Sequence, residues 1–359
     1  MNIQSTFSGD IRSAKSAPGA YEWWYFDAVS EDGDIEIVVI FYDGNPFSRR
    51  YIQHQRNGTK AAAEDFPAVS ISVYKNHQPL YYSFTEVDKS KALFGEDNPS
   101  LKIAGHTMEG RNANGKITYD LSLKEKLPSG DAIVGQFTFE SPKTATDLFE
   151  ESRNSSKNHR WNLVQPQAGV SGTLKVFARN EPSVTLNFKG SGYHDHNVGD
   201  EPLKHQFTDW YWGRFHFERT ILVYYVMDKQ QSQFGWLISR DSREIIDTFD
   251  DVKMEDYGRT LYGLTSARKL TLSNDKAKVM VQQAHQLDNG PFYQRFSSDA
   301  FLNMHEQNNM QSSRGITEYL CPPRIYKRLF WPLTNMRIRY QKESPHWVQR
   351  SKTLYRWTW

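Results

Sequence analysis

Apolar residues in this chain almost never recur at the three-and-four spacing of a helix face, whereas short runs of β-branched and aromatic residues recur from end to end. Examples are Ile35 to Tyr42, Ala68 to Tyr74, Lys116 to Leu123, Ala132 to Phe139, Gly172 to Val176, Val184 to Phe188, Thr220 to Met227 and Gln233 to Ser239. Gly, Pro, Asn and Asp bound each run, as strands require. Glu31-Asp32-Gly33-Asp34 and Asn112-Ala113-Asn114-Gly115 supply residues that tolerate positive φ between such runs, which predicts hairpins. Helix is expected only at 145–152 and, more weakly, at 298–308, and 150–157 reads as a polar loop. The pattern predicts an all-β protein built as a sandwich or barrel.

A length of 359 residues suits two such domains in tandem. Both halves carry a compact tryptophan cluster behind an acid, Glu22-Trp23-Trp24-Tyr25-Phe26-Asp27 and Asp209-Trp210-Tyr211-Trp212-Gly213-Arg214. A remote duplication produces this pattern. The expected domains are 1–200 and 201–359.

Several function classes lose support. Cys321 is the single cysteine, so no disulfide scaffold exists and an idle thiol is expected. The first 21 residues lack a signal-peptide apolar core, and no apolar run reaches the length of a spanning helix; a cytoplasmic location is expected. No glycine-rich phosphate loop, dinucleotide fingerprint, Gly-x-Ser-x-Gly elbow or paired-cysteine zinc spacing is present. From Leu320 to Trp359 nine Lys and Arg face the one acid Glu343, interleaved with Phe330, Trp331, Trp347, Trp357 and Trp359. That end reads first as a solvated face of C-terminal strands, with peripheral membrane contact as the minor reading. Nucleic acid is not expected as a partner, because the cations are confined to one end and no recognition motif accompanies them.

The chemistry-bearing stretch is Gly190-Ser191-Gly192-Tyr193-His194-Asp195-His196-Asn197-Val198-Gly199. At a strand end, alternation puts Tyr193, Asp195 and Asn197 on one face and His194 with His196 on the other. Two imidazoles at that spacing could serve a metal, with His159 or His205 as third ligand, but structural hydrogen bonding is the stronger reading and no metal is expected. Upstream, His159 and Trp161 share a face. An Asp withdrawn from water can stay protonated near neutrality and act as a proton donor. Protonating a carbon-carbon double bond makes a carbocation, which aromatic faces stabilise.

These segments, with Tyr21 to Ala28, His159-x-Trp161 through Gly172, Trp210-x-Trp212-Gly213-Arg214 and Arg314-Gly315-Ile316-Thr317-Glu318-Tyr319, resemble the hydroxyneurosporene synthase (carotenoid 1,2-hydratase) family. Its wider superfamily of tandem lipocalin-like proteins includes decalin-forming Diels-Alderases. The resemblance implies two lipocalin-like β-domains, an active cavity near their interface, and neither cofactor nor metal. It further implies Asp195 as the acid, Tyr193 beside it, and His159 with Trp161 as the pocket's second side; Trp24, Trp210, Trp212 and Asn197 are taken as substrate-binding. The resemblance does not account for the polar loop before His159 or the basic aromatic C-terminus. The leading expectation is a cofactor-independent enzyme that protonates a hydrophobic polyene or isoprenoid, followed by hydration or cyclisation. A pericyclase comes next, working by orientation alone, and then a binding protein for a hydrophobic small molecule.

Overall fold

The computed structural model describes residues 1–58, 61–143, 147–149, 159–179, 182–227, 229, 232–305 and 310–358. Packing divides the chain into two units, Met1–Gln206 with Arg328–Trp359, and Phe207–Lys327. The polar stretch 150–157 and most of the expected helix at 145–152 lie outside the described residues.

The first unit contains β1 (Asn2–Gln4), β2 (Tyr21–Ser30), β3 (Ile35–Asp43), β4 (Ala68–Lys75), β5 (Gln78–Glu86), β6 (Ala92–Phe94), β7 (Ser100–Ile103), β8 (His106–Ala113), β9 (Lys116–Lys126), β10 (Ala132–Pro142), β11 (His159–Phe177) and β12 (Val184–Gly199). The helix α1 (Arg49–Arg56) sits between β3 and β4, and α2 (Leu203–Gln206) follows β12. From a central seam of β2 against β12, the strands β2 to β5 run outward on one side. The chain then crosses to the far edge, and β6 to β12 return to the seam. Between β8 and β9, Asn114 and Gly115 both take positive φ, 53° and 71°, the tight turn their types favour.

The second unit contains β13 (Trp210–His216), β14 (Thr220–Met227), β15 (Ser232–Ser239), β16 (Ile245–Thr248), β17 (Asp251–Arg259), β18 (Thr265–Ser273), β19 (Ala277–Asn289), β20 (Tyr293–Met304) and β21 (Met310–Leu320). Here β13 to β16 run outward from a β13–β21 seam and β17 to β21 return to it. Each unit is thus a curled antiparallel half-barrel of the lipocalin-like kind, and the two tryptophan clusters occupy equivalent seam strands, β2 and β13. On β2 the core face is Trp24, Phe26 and Ala28; on β13 it is Tyr211 and Phe215. The opposite face takes Trp23 and Tyr25 in one unit, Trp210 and Trp212 in the other.

Three expectations change. Residues 298–308 are not helical as far as 304: Ser298 to Asn303 lie inside β20, hydrogen-bonded to β19 and β21, and tertiary pairing overrides a weak local pattern. The C-terminal segment is not a set of strands. It forms α3 (Trp331–Arg337), the two-residue β22 (Arg339–Tyr340), a 3₁₀ turn at Trp347–Arg350 and α4 (Lys352–Trp357). It also packs with the first unit rather than with the residues following 201, because β22 pairs with β5 and Tyr355 joins the first core. Cys321 is buried, and burial pushes its thiol up, as suits an idle group.

Candidate active site

The seam strand β12 carries the site. Its residues 192–199 are all buried, and their register is set on both sides: Tyr193, Asp195 and Asn197 stand opposite Asp27, Tyr25 and Trp23 of β2, and Trp161 of β11 stands opposite Asn197. Paired residues share a face. The expected polar trio therefore lies in one row, together with His159 and Trp161.

Three side-chain donors converge on Asp195, which is 4% exposed. Trp161 Nε1–H and Tyr193 O–H both donate to Oδ2 at 2.8 Å, and Asn197 Nδ2–H donates to Oδ1 at 2.9 Å. The chain of contacts continues from Asn197 Oδ1 to His159 Nε2 at 3.2 Å and from His159 Nδ1 to the Tyr21 hydroxyl at 3.0 Å. Burial, with the chain's N-terminal ammonium adding to it, pushes His159 down to about 3, so its ring is neutral at ordinary pH. A neutral imidazole donates from one nitrogen and accepts at the other. With Asn197 as placed, Tyr21 donates to His159, His159 to Asn197 and Asn197 to Asp195. A half-turn of the Asn197 amide reverses every bond in the chain, and Asp195 then donates from Oδ1. The same residues accommodate the carboxylate and the carboxylic acid.

Gly199 explains part of the motif. A Cβ there would lie 2.2 Å from the Tyr21 ring, so glycine is what lets Tyr21 reach His159.

The opposite face of β12 is a structural network. His194 contacts the Tyr25 carbonyl through Nδ1 at 2.9 Å and Asp10 through Nε2 at 3.1 Å, and it stacks on Phe26. His196 contacts the Gly9 carbonyl at 3.1 Å and Glu22 at 2.7 Å, and it stacks on Trp24. All four ring nitrogens are taken up by protein oxygens. Burial pushes Glu22 up, but hydrogen bonds and charge from His196 and Lys15 outweigh it and hold the carboxyl below its ordinary value. Among the described residues no group of three or more metal-ligating side chains is assembled.

Trp24 is thereby placed away from Asp195: its ring packs on the core face and its Nε1–H donates to the Asp10 carbonyl at 3.0 Å. Trp210 and Trp212 belong to the second unit, on the face of β13 away from that unit's core, where Trp210 lies 5.8 Å from Tyr225. His205 is exposed on α2, with Glu201 at 3.6 Å. Sequence reasoning did not single out Tyr21 and Tyr25, which share the Asp195 face. Their signal was the same alternation that paired His159 with Trp161, but assigning them needs the β2–β12 register.

A family model of the carotenoid hydratase CrtC matches residues 39–346. The chain belongs to the CrtC carotenoid hydratase family. Membership makes it an enzyme of the hydratase kind. A hydroxyneurosporene dehydrogenase of Chlorobaculum tepidum is 29% identical over 97% of this chain and 95% of its own. An acyclic carotenoid 1,2-hydratase of Rubrivivax gelatinosus is 26% identical over 59% of this chain and 50% of its own. The crystal structure of CghA with Sch210972 shares the fold at a TM-score of 0.56 and 12% identity, covering 86% of this chain and 93% of that one. This CrtC-family chain thus joins the expected family to the expected lipocalin-like fold.

Proposed function

We propose that this enzyme hydrates a carbon-carbon double bond of an acyclic polyene or isoprenoid, with Asp195 as the proton donor. The observation that carries the reading is the convergence of Trp161, Tyr193 and Asn197 on one buried carboxyl. Asp195 starts as the neutral acid, donating from Oδ1 to the turned Asn197 amide. As the proton leaves for the terminal alkene carbon, the two donors on Oδ2 stabilise the carboxylate that forms. They act on charge that develops in the transition state, where stabilisation accelerates the step. The Asn197 amide follows by returning to the orientation that donates to Oδ1.

The tertiary cation left on the substrate is flanked by aromatic faces of the Asp195 row, including Tyr193, Tyr25 and Trp161. Water adds to the cation, and the proton it sheds returns to Asp195, which closes the cycle. Alkene and water give alcohol with no redox change and no added cofactor. Family membership supports hydration, and the name of the Chlorobaculum relative adds dehydrogenation as an outcome to be tested.

Mass spectrometry of lipophilic extracts, with and without the active protein, tests the reading. A product heavier by one water supports it; an isomeric product indicates cyclisation, and a product lighter by two hydrogens indicates dehydrogenation. Asp195→Asn is expected to abolish turnover while retaining substrate binding and the circular dichroism of the parent. Full activity in that variant removes the acid from the mechanism.

A further inference from the structure

The proposed chemistry leaves the basic aromatic C-terminal segment without a role. Its inner side anchors it: Val348, Gln349, Tyr355 and Thr358 are buried, the Tyr355 hydroxyl donates to the Arg337 carbonyl at 2.9 Å, and Gln349 Nε2 donates to the Asn335 carbonyl at 3.0 Å. Its outer side is unlike an ordinary surface. Leu329 is 79% exposed, Trp347 64%, Leu354 38% and Trp357 69%. Leu354 and Trp357, three apart, share one face of α4, and α4 packs on the turn that carries Trp347. Single exposed apolar side chains are common, but two tryptophans exposed by about two thirds on neighbouring elements are not.

The charges around them sort in the same way. On the inner side, Arg339 contacts Glu125 at 3.3 Å, while the exposed Lys342 is paired with Asp88. Arg328 and Arg350 are exposed, and Lys352 and Arg356 are half-exposed, on a segment whose one acid is Glu343. From α1, Arg56 adds a further exposed cation over the Trp331 ring, 4.8 Å from its centroid. Tryptophan prefers the headgroup level of a bilayer, where its ring is half wet, and clustered Lys and Arg are drawn to anionic headgroups. Stable attachment takes two such signals, and this segment presents both.

We propose that the C-terminal segment is a peripheral docking surface for an anionic lipid bilayer, with Trp347, Leu354 and Trp357 entering the headgroup layer and Arg328, Arg350 and Lys352 facing its phosphates, while Arg356 is held inward by the Leu80 carbonyl at 2.7 Å. The proposal stands on the patch alone and holds whatever the substrate proves to be.

The test is co-sedimentation of the full chain with vesicles of phosphatidylcholine alone and with roughly one part in three of phosphatidylserine. Binding is expected on the anionic vesicles, at least about tenfold tighter than on the neutral ones and weakened by 0.5 M salt. The double variant Trp347→Ala with Trp357→Ala is expected to lose at least about tenfold in vesicle affinity with an unchanged Tm, since both rings are exposed. The pair Arg350→Glu with Lys352→Glu is expected to lose at least as much, on anionic vesicles alone. Equal binding to both compositions, no binding to either, or full affinity in the tryptophan variant overturns the proposal. So does a dimer, seen by sedimentation velocity without vesicles, that the tryptophan variant abolishes.

Discussion

Trp161 stands opposite Asn197 in the β11–β12 register, yet its indole reaches diagonally to Asp195 and donates to Oδ2 at 2.8 Å. Tyr193, two residues before Asp195 on its own strand, donates to the same oxygen at 2.8 Å. Two donors on one oxygen act on one developing charge. Trp161→Phe and Tyr193→Phe are each expected to lower kcat by roughly 10- to 100-fold, the worth of one hydrogen bond to a charged group. The double variant should lose more than the product of the two single losses, because in each single variant the surviving donor strengthens and hides part of the loss. Steady-state kinetics of the four proteins measures the coupling, and strictly multiplicative losses would separate the two residues.

Trp24 offers the contrasting case. It lies on the core face of β2, stacked on His196 at 4.6 Å with its rings nearly parallel. Trp24→Phe is expected to reduce stability in urea by about 1–3 kcal/mol through lost packing and the lost bond to the Asp10 carbonyl, with kcat kept within about threefold. A large fall in kcat at unchanged stability would put this ring in the catalytic pocket after all.

Asp10 is fully buried, contacts His194 and accepts from the Tyr119 hydroxyl at 2.6 Å. Asp10→Ala strands both partners in a dry interior, and a loss of about 3–5 kcal/mol is expected from urea unfolding. Asp10→Asn keeps acceptor oxygen and should lose less.

His159 makes stability depend on pH with a definite sign. Folding holds its ring neutral, with burial pushing it down to about 3, while the unfolded chain takes up the proton near the ordinary value of 6.5. Between those limits the unfolded state binds more protons, so the stability contributed above pH 6.5 is lost as pH falls toward 3, by about 1.4 kcal/mol per unit. In His159→Gln that part of the slope is absent. Urea midpoints of the two proteins at several pH values between 4 and 7 should therefore converge on the acid side; parallel profiles would show that His159 already titrates normally.

The strand runs were legible because they are bounded by turn residues, and Asn114-Gly115 announced its hairpin by chemistry alone. The polar trio on β12 followed from period-two alternation within one segment. What alternation within a segment cannot supply is register between segments distant in sequence. Trp24 falls in the family block from Tyr21 to Ala28, and only the β2–β12 register, which sets it opposite His196, shows that its ring lies on the core face. Tyr21 was passed over because its partner, His159, is on another strand altogether. The C-terminal helices were hidden for a related reason: α3 and α4 are too short to show an amphipathic period and owe their form to the surface on which they pack.

The seam that unites β2 with β12, and the return of Arg328–Trp359 to the unit that begins the chain, impose an order on biosynthesis. The ribosome delivers β2 with its neighbour β3 long before β12, the strand that pairs with its other edge. The first unit then lacks β22 and the Tyr355 anchor until every residue of the second has been made. Folding of this unit from the N-terminus as it is synthesised therefore stalls with an open sheet edge and an unfinished core. A premature stop in the last thirty or so codons, far from Asp195 in sequence, would be felt first in the unit that holds it.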